Sequence, residues 1–286
     1  MTYATLVSTT DLVSHLADPE WAIFDCRFSL ADVERGRRDY LQAHIPRAIY
    51  AHLNEDLSGP MVRGKTGRHP LPAIDVMAQR LSNWGIDDHT QVIAYDDTGG
   101  SIAARVWWLL RWLGHDAVAV LDGGWQQWLK ENREVTNEIV ARSPRSFTPH
   151  PRPEIVMTVE EVAAIMNNRN FKLFDSRTAE RYRGETEPFD PIAGHIPGAI
   201  SAPYAENLAP DLLFRSTGDL RQRFEALLGD TPADHAAFYC GSGINAAHNI
   251  LALKHAGLGD VRLYAGSWSE WITDPKRPIA TGNENA

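Results

Sequence analysis

The chain repeats itself, and this constrains its fold more than any other feature. Five landmarks recur in the same order in its two halves. Phe24-Asp25-Cys26-Arg27 is answered by Phe174-Asp175-Ser176-Arg177, and His44-Ile45-Pro46 by His195-Ile196-Pro197. Val92-Ile93-Ala94-Tyr95-Asp96 is answered by Ala236-Ala237-Phe238-Tyr239-Cys240, and Val118 to Leu121 by Val261 to Tyr264. Last, Gly123-Gly124-Trp125-x-x-Trp128 is answered by Gly266-Ser267-Trp268-x-x-Trp271. A repeating chain of 286 residues holds two domains of ordinary size, each long enough to bury a core. Between the copies, residues 143–153 carry four prolines and cannot continue a helix or a central strand. The expected division is a domain over 1–142, a linker over 143–157 and a second domain over 158–286.

Within the second copy, short apolar runs alternate with helical patterns. Lys172 to Asp175, Ala236 to Tyr239 and Val261 to Tyr264 are expected as buried strands. Thr158 to Asn167, Leu220 to Leu228 and Asn245 to Ala256 are expected as helices. This alternation implies an α/β fold: two tandem domains, each a parallel sheet with helices on both faces. Ligands of such sheets sit beyond the carboxyl ends of the strands. Cys240 occupies that kind of position, directly after a strand and before a helix.

Composition excludes several functions. A net charge of −9 argues against general nucleic-acid binding, which needs a basic face. No run of 18 apolar residues is present, so no membrane partner is expected. Met1 to Leu16 has neither the basic start nor the apolar core of a secretion signal, which makes a cytoplasmic protein the expectation. The two cysteines, Cys26 and Cys240, form no CxxC pair, and the histidines show no HExxH spacing. No metal site is expected, and a working cysteine acts alone as a nucleophile.

The segment Cys240-Gly241-Ser242-Gly243-Ile244-Asn245-Ala246 is suited to that role. Its glycines let the backbone curl with N–H groups inward, and the following helix adds the partial positive charge of its N-terminus. Both favour a thiolate, and the same donors would hold a persulfide anion. Cysteine phosphatases use such loops too, but they need an arginine six positions after the nucleophile, and here that residue is Ala246. In the first copy Asp96-Asp97-Thr98-Gly99-Gly100-Ser101 stands in place of the cysteine loop. An aspartate pair after a strand suits a phosphotransfer nucleophile or a magnesium ligand, while the repeat reads it as a degenerate copy. Cys26 matches Ser176 and reads as structural.

Together these motifs resemble the tandem-domain rhodanese and 3-mercaptopyruvate sulfurtransferase family, over nearly the whole chain. The resemblance implies a double displacement. Cys240 takes sulfur from a small anionic donor, thiosulfate or 3-mercaptopyruvate, as a persulfide, and passes it to cyanide, a thiol or thioredoxin. It implies a persulfide cradle of Gly241, Ser242, Gly243, Ile244, Asn245 and Ala246, a non-catalytic first domain, and no metal or organic cofactor. Arg181 matches the family's substrate-binding arginine, with Arg183 in reserve; Asp175 and Arg177 are supporting residues. His44, also a supporting residue, and His195 each precede an Ile-Pro turn and are expected to fix loop geometry, with His44 the family's alternative candidate to share a proton with Ser242. Cys-Gly-Ser-Gly is similar to the mercaptopyruvate type, but Phe189 stands where that type carries a second arginine, and Ile244-Asn245 where it carries Val-Thr. Both donors stay open, and Phe189→Arg is expected to improve mercaptopyruvate use selectively. The alternative function is a persulfide carrier or an interaction module without turnover.

Overall fold

Five short apolar runs in each half of the chain become strands, because residues buried on both faces of a parallel sheet need no polar alternation. The computed structural model describes residues 2–166, 168 and 170–283. The first sheet is built from β1 (Leu6–Val7), β2 (Trp21–Asp25), β3 (Ala48–Tyr50), β4 (Gln91–Tyr95) and β5 (Val118–Leu121), in the order β1-β5-β4-β2-β3. The second is built from β6 (Val156–Met157), β7 (Lys172–Asp175), β8 (Ile200–Ser201), β9 (Ala236–Tyr239) and β10 (Arg262–Tyr264), in the order β6-β10-β9-β7-β8. Every pairing is parallel, with Ile23 beside Ile93 in one sheet and Phe174 beside Phe238 in the other. The two orders are the same, so the sequence repeat is a repeat of topology.

The first five helices are α1 (Thr9–Ser14), α2 (Arg35–Gln42), α3 (Ile74–Asn83), α4 (Ala103–Trp112) and α5 (Gly124–Lys130). The next five are α6 (Val159–Ile165), α7 (Ala179–Arg183), α8 (Thr217–Leu228), α9 (Asn245–His255) and α10 (Ser267–Trp271). Thr158 caps α6 rather than belonging to it: its side chain accepts the Glu161 N–H, and Glu161 accepts the Thr158 N–H in return. α8 starts at Thr217, earlier than the apolar pattern shows, because Ser216 caps it through the Asp219 N–H. The expected end of the first of these helices, Asn167, lies outside the described residues, as do the outer ends of the two expected domains. None of the described helices is long and apolar enough to cross a membrane.

Two compact units result. The first comprises the chain before Pro60, Pro72–Arg152 and Pro210–Phe214; the second comprises Pro60–Leu71, Pro153–Ala209 and the chain from Arg215 onward. This differs from the expected halves in four places, one of them Pro210–Phe214, which comes from the second half and joins the first unit. Residues 143–152 pack on the first unit, where His150 and Arg152 donate their N–H groups to Leu113 and Trp112. Val156–Met157, expected in the linker, is the edge strand β6. The segment 60–71, from the middle of the first half, belongs to the second unit. The tryptophans of the Trp-x-x-Trp motifs serve the cores: Trp128 packs with Ile23, Ile93 and Leu121, and Trp268 and Trp271 pack with Leu173, Tyr239 and Tyr264.

Candidate active site

β9 is flanked by β7 and β10, and its carboxyl end delivers Cys240 to the edge of the second sheet. The loop must turn sharply there to enter α9. Gly243 takes the turn at φ +78°, and a Cβ on it would lie 2.4 Å from the Ala265 carbonyl oxygen, so no other residue fits. Gly243 donates its N–H to Cys240 Sγ at 3.2 Å. Asn245 and Ala246 are the first residues of α9, where backbone N–H groups have no partner inside the helix. The thiol itself is almost wholly buried.

The loop is held from behind. The Cys240 N–H donates to Ser267 Oγ at 3.0 Å, and the Cys240 and Gly241 carbonyls accept from Trp268 and Ser269, each at 3.0 Å. Ser267 sits at φ +56°, a left-handed conformation uncommon outside glycine, and its first-copy equivalent is Gly124 at φ +52°. The second copy accepts that strain because its hydroxyl braces Cys240 and donates to the Tyr264 carbonyl at 2.9 Å. Sequence reasoning passed over Ser267, although a serine facing a glycine across the repeat was a visible signal.

Asp175 pairs in register with Tyr239, the residue before Cys240, and Arg177 stands two positions after Asp175. Arg177 donates to both Asp175 oxygens, to Glu187 at 3.1 Å and to the Gly194 carbonyl at 2.6 Å, with its guanidinium 4.8 Å from the Trp268 ring. Burial alone would lower this guanidinium, but Asp175 outweighs it and holds Arg177 above its ordinary value. Arg181 donates to Glu187 at 2.7 and 3.1 Å. Its Nη2 lies 3.4 Å from where a Cβ on Gly241 would be, which places a cation at the residue following Cys240.

Three expectations change. His44 does not meet Ser242: its two ring nitrogens face the Tyr40 and Glu138 carbonyls within the first unit, where it fixes local geometry. The histidine on Ser242 is His69, whose Nδ1 lies 2.8 Å from Ser242 Oγ, with both side chains buried. Arg183 turns to Glu185 at 2.7 Å, and the second cation at Gly241 is Arg68, whose Nη2 is 3.1 Å from the same Cβ position. Phe189 is half-exposed, with its ring centre 5.1 Å from Arg181 Cζ and 6.0 Å from Arg68 Cζ. An arginine there would join two existing cations rather than supply a missing one. Neither His69 nor Arg68 is legible in the sequence, because segment 60–71 joins the second unit only through tertiary packing.

Other candidates resolve as structural. His195 Nδ1 faces the Tyr182 carbonyl at 2.7 Å. Cys26 is buried, and burial first, then Asp25, pushes its thiol well above the ordinary range. Glu34, His52 and Glu55 cluster closely enough for a metal, but His52 Nδ1 accepts the Asn54 and Glu55 N–H groups and Arg37 pairs with both glutamates.

Comparison with known proteins agrees with this architecture. The family model described as "Rhodanese-like domain" matches residues 8–131 and 158–274. A probable 3-mercaptopyruvate sulfurtransferase of Pseudomonas aeruginosa is 45% identical over 284 residues, covering 99% of this chain and 100% of that protein. The thiosulfate sulfurtransferase of Bos taurus is 33% identical over 281 residues, covering 94% and 92%. The solved 3-mercaptopyruvate sulfurtransferase of Leishmania major superposes with a TM-score of 0.82 at 30% identity, over 96% of this chain and 75% of that one. The chain therefore belongs to the rhodanese family of sulfurtransferases, with one rhodanese-like domain in each half.

Proposed function

We propose that this sulfurtransferase draws sulfur from 3-mercaptopyruvate and passes it to a thiophilic acceptor through a persulfide on Cys240. The observation that carries the reading is the 2.8 Å contact between Ser242 and His69, two residues beyond the nucleophile. In the first step the Cys240 thiolate attacks the donor sulfur. An S–S bond forms, the C–S bond breaks, and the electron pair passes to carbon as the enolate of pyruvate. The donor thiol loses its proton and the enolate carbon needs one, so a single proton moves from sulfur to carbon. A hydroxyl and an imidazole in contact can take and return it. Thiosulfate leaves as sulfite, a stable anion that needs no proton. The Ser242–His69 pair therefore has a task with mercaptopyruvate that it lacks with thiosulfate.

In the second step a thiolate or cyanide attacks the terminal sulfur, the S–S bond breaks, and the Cys240 thiolate returns. Small thiols, cyanide and thioredoxin fit as acceptors. The two cysteines are free thiols, which suits a reducing compartment such as the cytoplasm.

The test compares both donors in wild type, Ser242→Ala and His69→Gln. We expect kcat with mercaptopyruvate to fall about 100-fold or more, the usual contribution of positioned proton transfer, and kcat with thiosulfate to stay within about threefold. Equal losses with both donors would overturn the donor assignment. Cys240→Ser is expected to abolish the gain of one sulfur in the intact mass. A protein that only carries sulfur would gain the mass yet fail to turn over with an acceptor.

A further inference from the structure

Two guanidinium groups occupy the space that a side chain on Gly241 would fill. A Cβ there would lie 3.1 Å from Arg68 Nη2, 3.4 Å from Arg181 Nη2 and 3.7 Å from Arg181 Nη1. Each arginine is anchored along one edge. Arg68 donates Nη1 to Asp190 Oδ1 at 2.5 Å and its backbone N–H to Ser269 Oγ at 3.0 Å. Arg181 donates Nε and Nη2 to Glu187, and Nη2 reaches Asp190 Oδ2 at 3.5 Å. Asp190 is thus shared between them, one oxygen to each.

The opposite edges are open. Among the described residues, Arg68 Nε and Nη2 and Arg181 Nη1 meet no hydrogen-bond acceptor, and Arg68 Nε is buried. An unmet donor is costly where it is buried, as Arg68 Nε is, and one anion can satisfy it together with the open Nη groups beside it. The Phe189 ring lies near both guanidiniums, 5.1 Å from Arg181 Cζ and 6.0 Å from Arg68 Cζ, and offers them no carboxylate to pair with. A planar carboxylate with two oxygens matches two such edges better than a single charge does.

We infer that Arg68 is a specificity-determining residue that holds the carboxylate of the 2-oxo acid donor, together with Arg181, beside Gly241. It provides from segment 60–71 the second cation that Phe189 cannot provide. This rests on the mercaptopyruvate reading above and adds the residue that selects the donor.

The test is steady-state kinetics of the full chain with both donors. Arg68→Ala is expected to raise KM for mercaptopyruvate about 10- to 100-fold, the range for a charge-assisted contact, with kcat held within about threefold. The thiosulfate KM should also rise, but by a clearly smaller factor than the mercaptopyruvate KM, since thiosulfate has no planar carboxylate to pair with the guanidinium. Arg68→Lys should recover part of the loss. Phe189→Arg should do little alone but rescue Arg68→Ala, since it returns a guanidinium to the same place. Three results would overturn the inference. One is an unchanged KM. Another is a fall in kcat with KM constant, which would make Arg68 a brace for the loop through Ser269. The third is full recovery in Arg68→Ala/Asp190→Asn, which would reduce Arg68 to neutralising Asp190. Intact mass after donor incubation separates this from the underlying function: if Arg68 only selects the donor, every variant still gains one sulfur on Cys240 at saturating donor. If wild type gains none from either donor, the function itself is wrong.

Discussion

At the scale of single residues, the two copies of the loop answer one question differently: what anion sits in the curled backbone. In the first copy the anion is built in. The Asp96 carboxylate is buried and accepts N–H groups from Thr98, Gly100, Ile102 and Ala103 at 2.7 to 2.8 Å. Burial raises this carboxyl above the ordinary range, and the four N–H donors, which favour the anion, work against that rise. Asp96→Asn would turn an NH₂ group toward two of these donors. We expect a loss of about 2–3 kcal/mol in urea unfolding, from unmet buried groups. A change below about 0.5 kcal/mol would show that the loop relaxes around the amide. Neither phosphotransfer nor magnesium binding suits a carboxylate so fully occupied by its own backbone. In the second copy the matching positions are Ser242, Ile244, Ala246 and Ala247, and the place of Asp96 is taken by Cys240, whose smaller thiol accepts the Gly243 N–H.

At the scale of elements, the loop depends on one glycine. Its partner in the first copy, Gly99, also has positive φ, at +69° beside +78° for Gly243. Gly243→Ala must both adopt a left-handed backbone and clear the Ala265 carbonyl, 2.4 Å from the new carbon. The loop has to move, and with it the N–H that reaches Cys240 Sγ. Persulfide formation should slow about 100-fold, with a stability loss of about 1–3 kcal/mol. Stopped incubation with donor followed by mass measurement gives the first quantity, and urea unfolding the second. Normal persulfide rates in the variant would show that the turn does not position the nucleophile.

At the scale of the molecule, the repeat supplies its own control. Arg27 binds both Asp25 oxygens and the Ala43 carbonyl, just as Arg177 binds Asp175 and the Gly194 carbonyl. Removing either cation strands a buried carboxylate, so Arg27→Met and Arg177→Met should each cost about 3–5 kcal/mol. Arg177 alone also touches Glu187, the residue that anchors Arg181. Persulfide formation should therefore slow in the Arg177 variant and hold its rate in the folded Arg27 variant. Equal slowing in both would mean that the Asp-Arg pair acts on catalysis only through stability.

The sequence by itself determined the two-domain repeat, the α/β alternation and the place of Cys240 at the end of a strand. These are encoded locally: apolar runs bury as strands, glycines permit the turn, and the order of motifs repeats along the chain. Its motifs resemble the family's at Arg181, a cation that lies beside Gly241, but they offered only His44 as a histidine for Ser242 and Arg183 as a reserve cation. Only the tertiary structure brought His69 to Ser242, across 173 positions of sequence, and Arg68 to Gly241. The physical reason is that both ride on segment 60–71, which leaves the first half to join the second unit. A contact between distant segments depends on how the chain packs, and neither periodicity nor turn chemistry records it. The repeat exposes the cysteine loop but not these two residues, because none of the five recurring motifs contains them.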